Sequence, residues 1–238
     1  LINRGFTPRM VRKLEETFLH ITTQAIDEVA REGKCDFVSS ISTPLPLRLI
    51  AAMIGIREED YDSFAQWSNA MIAAEGRHDD AEVMAKAGVA YMQYAAYVTE
   101  VIEDRRKNPK DDMVSILAGA KDEGLLMKYD EDLSNFAGHS ETMDLANDEL
   151  IKLMVILMVA GNETTRNALS GSMQLLIETP DVKQQLIDDP SKIRNAVEEM
   201  LRLVSPVHSF GRTVLQDTEV RGRKIKKGQS ILLLYPSA

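Results

Sequence analysis

The chain has 238 residues, of which 44% are hydrophobic and 27% are charged, and its formal net charge is −9. A net charge this negative argues against nucleic acid as the main partner, and the lack of any apolar run of about 18 residues argues against a membrane span. Gly and Pro are few, at 13 and 8, and the one cysteine, Cys35, excludes an intrachain disulfide and fits a cytoplasmic location.

The spacing of apolar residues predicts a body of helices followed by short strands. The helices are predicted at 8–32, 43–54, 57–74, 79–106, 111–121, 147–178, 181–189 and 190–204. The polar stretch 122–146 predicts a loop with at most a weak hairpin or turn. The strands are predicted at 213–215, 218–220, 224–225 and 231–235.

These elements predict a single partial domain over 1–238. Its helical body covers 1–204, and its small β region covers 205–238. The sequence opens without Met and stops directly after the last predicted strand, so we expect a fragment of a longer protein.

The longest predicted helix contains the sequence LMVILMVAGNETT, residues 153–165, in which an apolar run meets a glycine, an acid and two hydroxyls. An unpaired polar group buried in a core costs about 1–3 kcal/mol, so core helices rarely carry such a group of residues. One interpretation is a bent core helix whose threonine hydroxyls bond to its own backbone. The other is a groove where a small ligand presses against the backbone and Glu163 and Thr164 manage protons.

Two further patterns follow this helix. Glu199 and Arg202 are three residues apart on a helix and can pair, but the same spacing occurs at 28/31, 103/106 and 163/166. The pair at 199/202 differs from the others in context, because a Ser-Pro stop and then strands follow its helix. Arg212, in the sequence SFGRT, is either solvated or binds a ligand carboxylate.

The order of these patterns is more specific than any one of them. A long helix with AGNETT is followed about 35 residues later by an ExxR helix, then by Ser-Pro, Gly-Arg and a hairpin. In this order the chain resembles the cytochrome P-450 superfamily, the thiolate-haem monooxygenases, and most closely its soluble bacterial branch. The fold implied is mainly α with a small β region, a cytochrome P-450 fold that is incomplete here.

The resemblance also implies a role for each site residue. Glu163 and Thr164 match the catalytic acid–alcohol pair, in which the hydroxyl serves the oxygen site and the acid links it to solvent protons. Ala160, Gly161 and Arg212 match cofactor-binding positions, and Glu199 and Arg202 match a buried structural ion pair. The residues that match substrate-facing positions are Ile156, Val159, Val207 and His208.

The cofactor implied is haem b, whose cysteine ligand lies in a Phe-Gly-rich loop beyond the end of this chain. Cys35 lacks that context and is interpreted as a part-buried thiol, so no metal ligand is expected here and the fragment alone is expected to be inactive. The parent enzyme would use O2, a ferredoxin or flavodoxin-like electron donor and a small hydrophobic substrate of the lipid, sterol or terpenoid class. The alternative is a non-catalytic helical module that binds an apolar ligand or a partner helix.

Overall fold

The computed structural model describes residues 8–110, 112–122 and 147–237. The helices within these ranges are α1 (Pro8–Ala30), α2 (Pro44–Ile54), α3 (Tyr61–Ala73), α4 (Ala81–Lys107), α5 (Met113–Asp122), α6 (Asn147–Glu178), α7 (Pro180–Asp188) and α8 (Ile193–Val204). The strands are β1 (Ser209–Thr213), β2 (Thr218–Val220), β3 (Arg223–Ile225) and β4 (Ser230–Leu234). The predicted class, mainly α with a small β region, is therefore confirmed.

Most predicted boundaries agree with the structure to within a few residues, and α6 matches at both ends. The first strand was predicted too late, at 213–215, whereas β1 covers Ser209–Thr213. The reason is pairing: β1 lies antiparallel to β4, with Ser209 opposite Leu234 and Thr213 opposite Ser230. Apart from residue 122, the loop predicted for 122–146 lies outside the described residues.

The described residues form two compact units that join within α6, between Glu163 and Thr164. This division differs from the predicted one, which separates a helical body from a β region at residue 204. The C-terminal half of α6 packs with the later elements, as Gly171 shows: a Cβ there would lie 2.6 Å from Cγ1 of Val204 in α8. No helix among the described residues is long and apolar enough to cross a membrane.

The first unit contains the hydrophobic core. Its fully buried members come from α2 to α6 and include Ile54, Phe64, Tyr94, Val98, Ile102, Val114, Leu117, Leu150, Met154 and Met158. The Tyr94 hydroxyl in α4 donates a hydrogen bond to the Met154 carbonyl in α6 over 3.2 Å, and burial raises the pKa of Tyr94 above its ordinary value. This contact ties the longest helix to the centre of the core.

A buried ion pair lies in the first unit, at the end of α4. Arg105 and Asp112 are 7% and 9% exposed, and Arg105 Nε lies 2.5 Å from Asp112 Oδ2. Arg105 Nη2 also donates to the carbonyl of Gly55, which ends α2 with φ +78°. A side chain at Gly55 would put its Cβ within 2.7 Å of both charged groups, so only glycine fits.

The second unit buries little. In residues 164–237, all of which are described, only Ser205 and Val214 are buried. Its strands form two separate antiparallel pairs, β1 with β4 and β2 with β3. Local hydrogen bonds, for example the Val214 amide to the Gln229 carbonyl at 2.9 Å, therefore carry much of its structure.

Glu199 and Arg202 pair on α8, but the expectation that this pair is buried was wrong. Arg202 donates through Nε and Nη2 to the two carboxylate oxygens of Glu199, over 2.8 and 2.7 Å. The side chains are 56% and 57% exposed. The physical reason is that no described residue covers this face of α8, where Leu203, four residues after Glu199, is also exposed.

We predict that Asp112→Asn lowers the free energy of unfolding of the first unit by about 2–3 kcal/mol, because it leaves the buried Arg105 without its full countercharge. The measurement is urea denaturation followed by fluorescence of Trp67, the single tryptophan, which lies in that unit. The control is Glu82→Gln, which breaks the exposed pair with Lys86. A loss at Asp112 no larger than that at Glu82 would contradict the prediction.

The ion pair on α8 predicts a pH effect. The hydrogen bonds from Arg202 hold the pKa of Glu199 below its ordinary value. The stabilisation by the pair is therefore complete above the pKa of an unfolded glutamate and is lost as the pH falls through the lowered pKa. Carboxyl-detected NMR should show Glu199 titrating below an unpaired glutamate, and Arg202→Gln should abolish the difference; an unchanged titration in that variant would contradict this.

Candidate functional site

Helix α6 has a buried row and an exposed row of residues in its first half. Residues four apart lie on one face of a helix. The row Leu150, Met154, Met158 and Asn162 is buried, at 2% exposure or less. By contrast Ile156 is 58% exposed, and Ala160, one turn later, is also exposed. The helix therefore packs on one side and presents a small aliphatic surface on another.

Gly161 packs closely against α2. A Cβ at this position would lie 2.9 Å from Cδ1 of Ile50 in α2. The small pair Ala160-Gly161 thus has two different environments: Ala160 is exposed, and Gly161 lies against α2. The predicted cofactor contact of Ala160 remains a prediction, while the contact with Ile50 gives Gly161 a structural role as well.

The acid and the alcohol follow on the same continuous helix. Glu163, the last residue of the first unit, is half-buried, and its Oε2 atom is buried. Thr164, the first residue of the second unit, is also half-buried. An acid and a hydroxyl with limited exposure can exchange protons with a bound group while limiting access of bulk water.

Thr164 lines a cavity of about 670 Å³ in the second unit. Residues of α6, α7 and α8 form its walls, which are mostly apolar; they include Ala168, Leu169, Leu186, Ile187, Ala196, Val197, Met200 and Leu201. Arg212 does not line this cavity. The structure thus does not bring Thr164 and Arg212 together in this cavity, and their predicted roles at one cofactor site stay predictions.

Arg212 projects from β1 with its side chain exposed. Its Nη1 donates to the adjacent Gly211 carbonyl over 2.9 Å, and its Cζ lies 5.6 Å from the centroid of the Phe210 ring. Within the described part of the chain it forms no ion pair with a carboxylate, so the guanidinium can bind an external anion.

The predicted substrate residues have different surroundings. Ile156 is exposed, whereas Val159 is partly buried and packs against the core of the first unit. In the second unit Val207 is half-buried and His208 is exposed, with its carbonyl accepting a hydrogen bond from the Tyr235 amide at 3.0 Å. The packing gives Val159 a structural role, and the substrate-facing roles of all four residues stay predictions.

Cys35 is exposed, not part-buried as predicted. It lies in the irregular stretch between α1 and a short π-helical turn at Val38–Ser42, where the chain offers no core face to bury it.

Asn162 makes a polar contact that was not predicted from the sequence. Its amide Nδ2 donates to Oγ of Ser68 in α3 over 2.9 Å, and both residues are buried. The four-residue spacing from Leu150 through Met154 and Met158 was the available signal, since it places Asn162 in the same buried row. The partner 94 residues earlier leaves no local signal.

Comparison with known proteins identifies this arrangement. The model of the Cytochrome P-450 family matches residues 78–237. The chain is 34% identical to a steroid C26-monooxygenase of Rhodococcus jostii over its whole length, which covers 45% of that protein. A steroid C26-monooxygenase of Mycobacterium tuberculosis is 32% identical, again over the whole chain and 59% of the relative. The chain thus spans about half the length of the curated relatives it matches.

The fold agrees as well. The crystal structure of CYP109E1 from Bacillus megaterium in complex with testosterone superposes with a TM-score of 0.83 and 27% identity, covering 99% of this chain and 59% of the other. The family match and the structural match both include α6, which carries Ala160 to Thr165. Both also include α8, with its ion pair, and the paired strands that follow. The chain therefore belongs to the cytochrome P-450 family.

Proposed function

We propose that the full-length protein is a haem-thiolate monooxygenase that inserts one atom of O2 into a C–H bond, or across a double bond, of a small hydrophobic substrate. The observation that carries this proposal is the composition of α6. Exposed Ile156 and Ala160 lead within one turn to the half-buried pair Glu163 and Thr164. Such a helix offers a flat apolar contact surface with a protic group at its end.

The reaction fixes what the residues must provide. Substrate R–H, O2, two electrons and two protons give R–OH and water. The family's cofactor, haem b, supplies when bound the metal centre that accepts O2 and the electrons, which we propose arrive from a ferredoxin or flavodoxin-like donor. Glu163 and Thr164 then hold and move the two protons, Thr164 at its hydroxyl and Glu163 at its carboxyl group.

The described residues fit this cofactor. Ala160 has no atoms beyond Cβ and is exposed, so a planar ring can lie against the helix there. Arg212 has an exposed guanidinium with no carboxylate partner among the described residues, which suits a haem propionate. Cys35 is not a candidate for the thiolate ligand, because its stretch GKCDFV lacks the Phe-Gly pattern of the family.

The substrate is proposed to be a small hydrophobic molecule of the lipid, sterol or terpenoid class, of which a sterol has the most support. Ile156 and Val207 supply aliphatic surface, which favours an apolar substrate. Two relatives are steroid C26-monooxygenases, and one solved structure of similar fold holds testosterone. His208, exposed beside Val207, is proposed as a polar contact for a hydroxyl or carbonyl group of that substrate.

We predict that Thr164→Ala in the full-length, haem-loaded protein lowers product formed per electron pair about fivefold or more, because proton delivery loses its hydroxyl. The electrons that no longer reach product leave as hydrogen peroxide. The measurement compares consumption of reductant, release of peroxide and formation of hydroxylated steroid.

The matched control is Thr165→Ala, which removes the adjacent hydroxyl, on an exposed residue of the same helix. It should keep the wild-type ratio of product to peroxide. If both variants keep that ratio, the proposed role of Thr164 in proton delivery is contradicted. A wild-type protein that forms no oxygenated product would instead favour the alternative of a binding module without chemistry.

We further predict that Arg212→Gln weakens haem retention by the full-length protein, because a neutral amide replaces the cation proposed for a propionate. Transfer of haem to excess apomyoglobin should become faster by about tenfold, a difference expected from the loss of one charge-assisted hydrogen bond. The control is Arg223→Gln, an exposed arginine on β3. Equal transfer rates for the wild type and both variants would contradict the assignment of Arg212.

A further inference from the structure

The buried row of α6 ends in a polar residue. Leu150, Met154 and Met158 are each 0% exposed, and Asn162, the next member of the row, is 2% exposed. Its partner Ser68, in α3, is also 0% exposed. The apolar row thus stops at an amide–hydroxyl hydrogen bond of 2.9 Å between two helices of the first unit.

Stability alone does not explain why a polar pair occupies this buried position. A buried polar pair adds little net stability, and apolar residues of similar shape are often equally stable or more so. Moreover, Asn162 Oδ1 is buried and has no hydrogen-bond partner within the described residues. Because the pair adds so little stability, its role is more simply to select one alignment of the two helices, as single buried asparagines select the register of coiled coils.

The apolar contacts beside Asn162 do not by themselves fix the axial position of α6. Met154 and Met158 are flexible side chains that keep their contacts when a helix shifts slightly. The bond from Asn162 to Ser68 does not tolerate a shift, because moving α6 by one residue is a displacement of about 1.5 Å and breaks the hydrogen bond. A second directional contact of this row joins the Met154 carbonyl to the Tyr94 hydroxyl of α4, and the bond from Asn162 to Ser68 defines the axial position of α6 against α3.

The residues around Asn162 are those that the proposed function requires. Gly161 lies against Ile50 of α2, where an added Cβ would require the end of that side chain to shift. Glu163 follows Asn162 directly, and Ala160 precedes it by two residues. A small axial error at Asn162 would move all of them together, because they share one helix.

We propose that Asn162 and Ser68 form a positioning pair that fixes the axial position of α6 and thereby the placement of Ala160 and Glu163 at the oxygen site. This inference rests on the proposed function. Neither residue needs to touch haem, oxygen or substrate. The pair acts through the helix, and its loss is expected to disturb proton delivery more than stability.

The test compares Ser68→Ala, Asn162→Leu and the double variant in the full-length, haem-loaded protein. Ser68→Ala leaves the buried amide of Asn162 without its partner and should lower the midpoint of thermal unfolding. The double variant continues the apolar row and should return the midpoint to the wild-type value or above it. In every variant the share of electrons lost as peroxide should rise about threefold or more, because sub-ångström placement controls the chemistry.

A second readout does not depend on turnover. The infrared band of carbon monoxide bound to the reduced haem reports the polar surroundings of the ligand, and it should shift or broaden in the double variant. The matched control is Thr99→Val, which removes the part-buried hydrogen bond from Thr99 Oγ1 to the Ala95 carbonyl inside α4. It should change neither the peroxide share nor the band.

A stable double variant with the wild-type band and the wild-type peroxide share would overturn the positioning role. If the double variant does not bind haem, Ser68→Ala alone decides by the same two readouts. Failure of the proposed function looks different: the wild-type protein would then form no oxygenated product, while the comparison of carbon monoxide bands would still judge the pair.

Discussion

The structure depends on the burial of one face of α6. Leu150, Met154 and Met158 have no exposed surface, and the Met154 carbonyl accepts a hydrogen bond from Tyr94 at the centre of the core. A helix is a rigid rod, so burying one row fixes the direction of every other row. The exposed surface at Ile156 and Ala160 is therefore held in place by contacts on another side of the helix. The chemistry proposed for α6 depends on this orientation.

The two units differ in how they are stabilised. The first has an apolar core from five helices, closed by the buried pair of Arg105 and Asp112. The second buries only Ser205 and Val214 among its described residues, and its ion pair at Glu199 and Arg202 is exposed to water. Exposed ion pairs add little stability, whereas large apolar surfaces left in water favour association with other groups. The second unit is thus the part whose stability most depends on contacts beyond those described.

The sequence predicted the features that local physics determines. The predicted bounds of α6 agree with Asn147–Glu178, and its end is a local effect, because Pro180 disfavours helical backbone at the residue before it. The burial of Glu199, Arg202 and Cys35 was misjudged, since burial depends on which distant residues pack on a face. The β1 boundary was missed for the same reason, because its register is set by β4.

Other contacts at the site join residues that lie far apart in the sequence. The contact of Asn162 with Ser68 joins positions 94 residues apart, and the contact of Gly161 with Ile50 joins two different helices. The family resemblance correctly identified the fold and the order of motifs. It gave no reason for an asparagine between the glycine and the acid, and its reading of Gly161 as room for a ligand omitted the packing against α2.

The most direct test of the role proposed for α6 is a crystal structure of the full-length protein with haem bound. We predict that the porphyrin lies against the surface of α6 at Ile156 and Ala160, with the Thr164 hydroxyl facing the ligand side of the iron. A porphyrin seated elsewhere, with Ala160 covered by protein side chains and the Thr164 hydroxyl turned away from the iron, would contradict it.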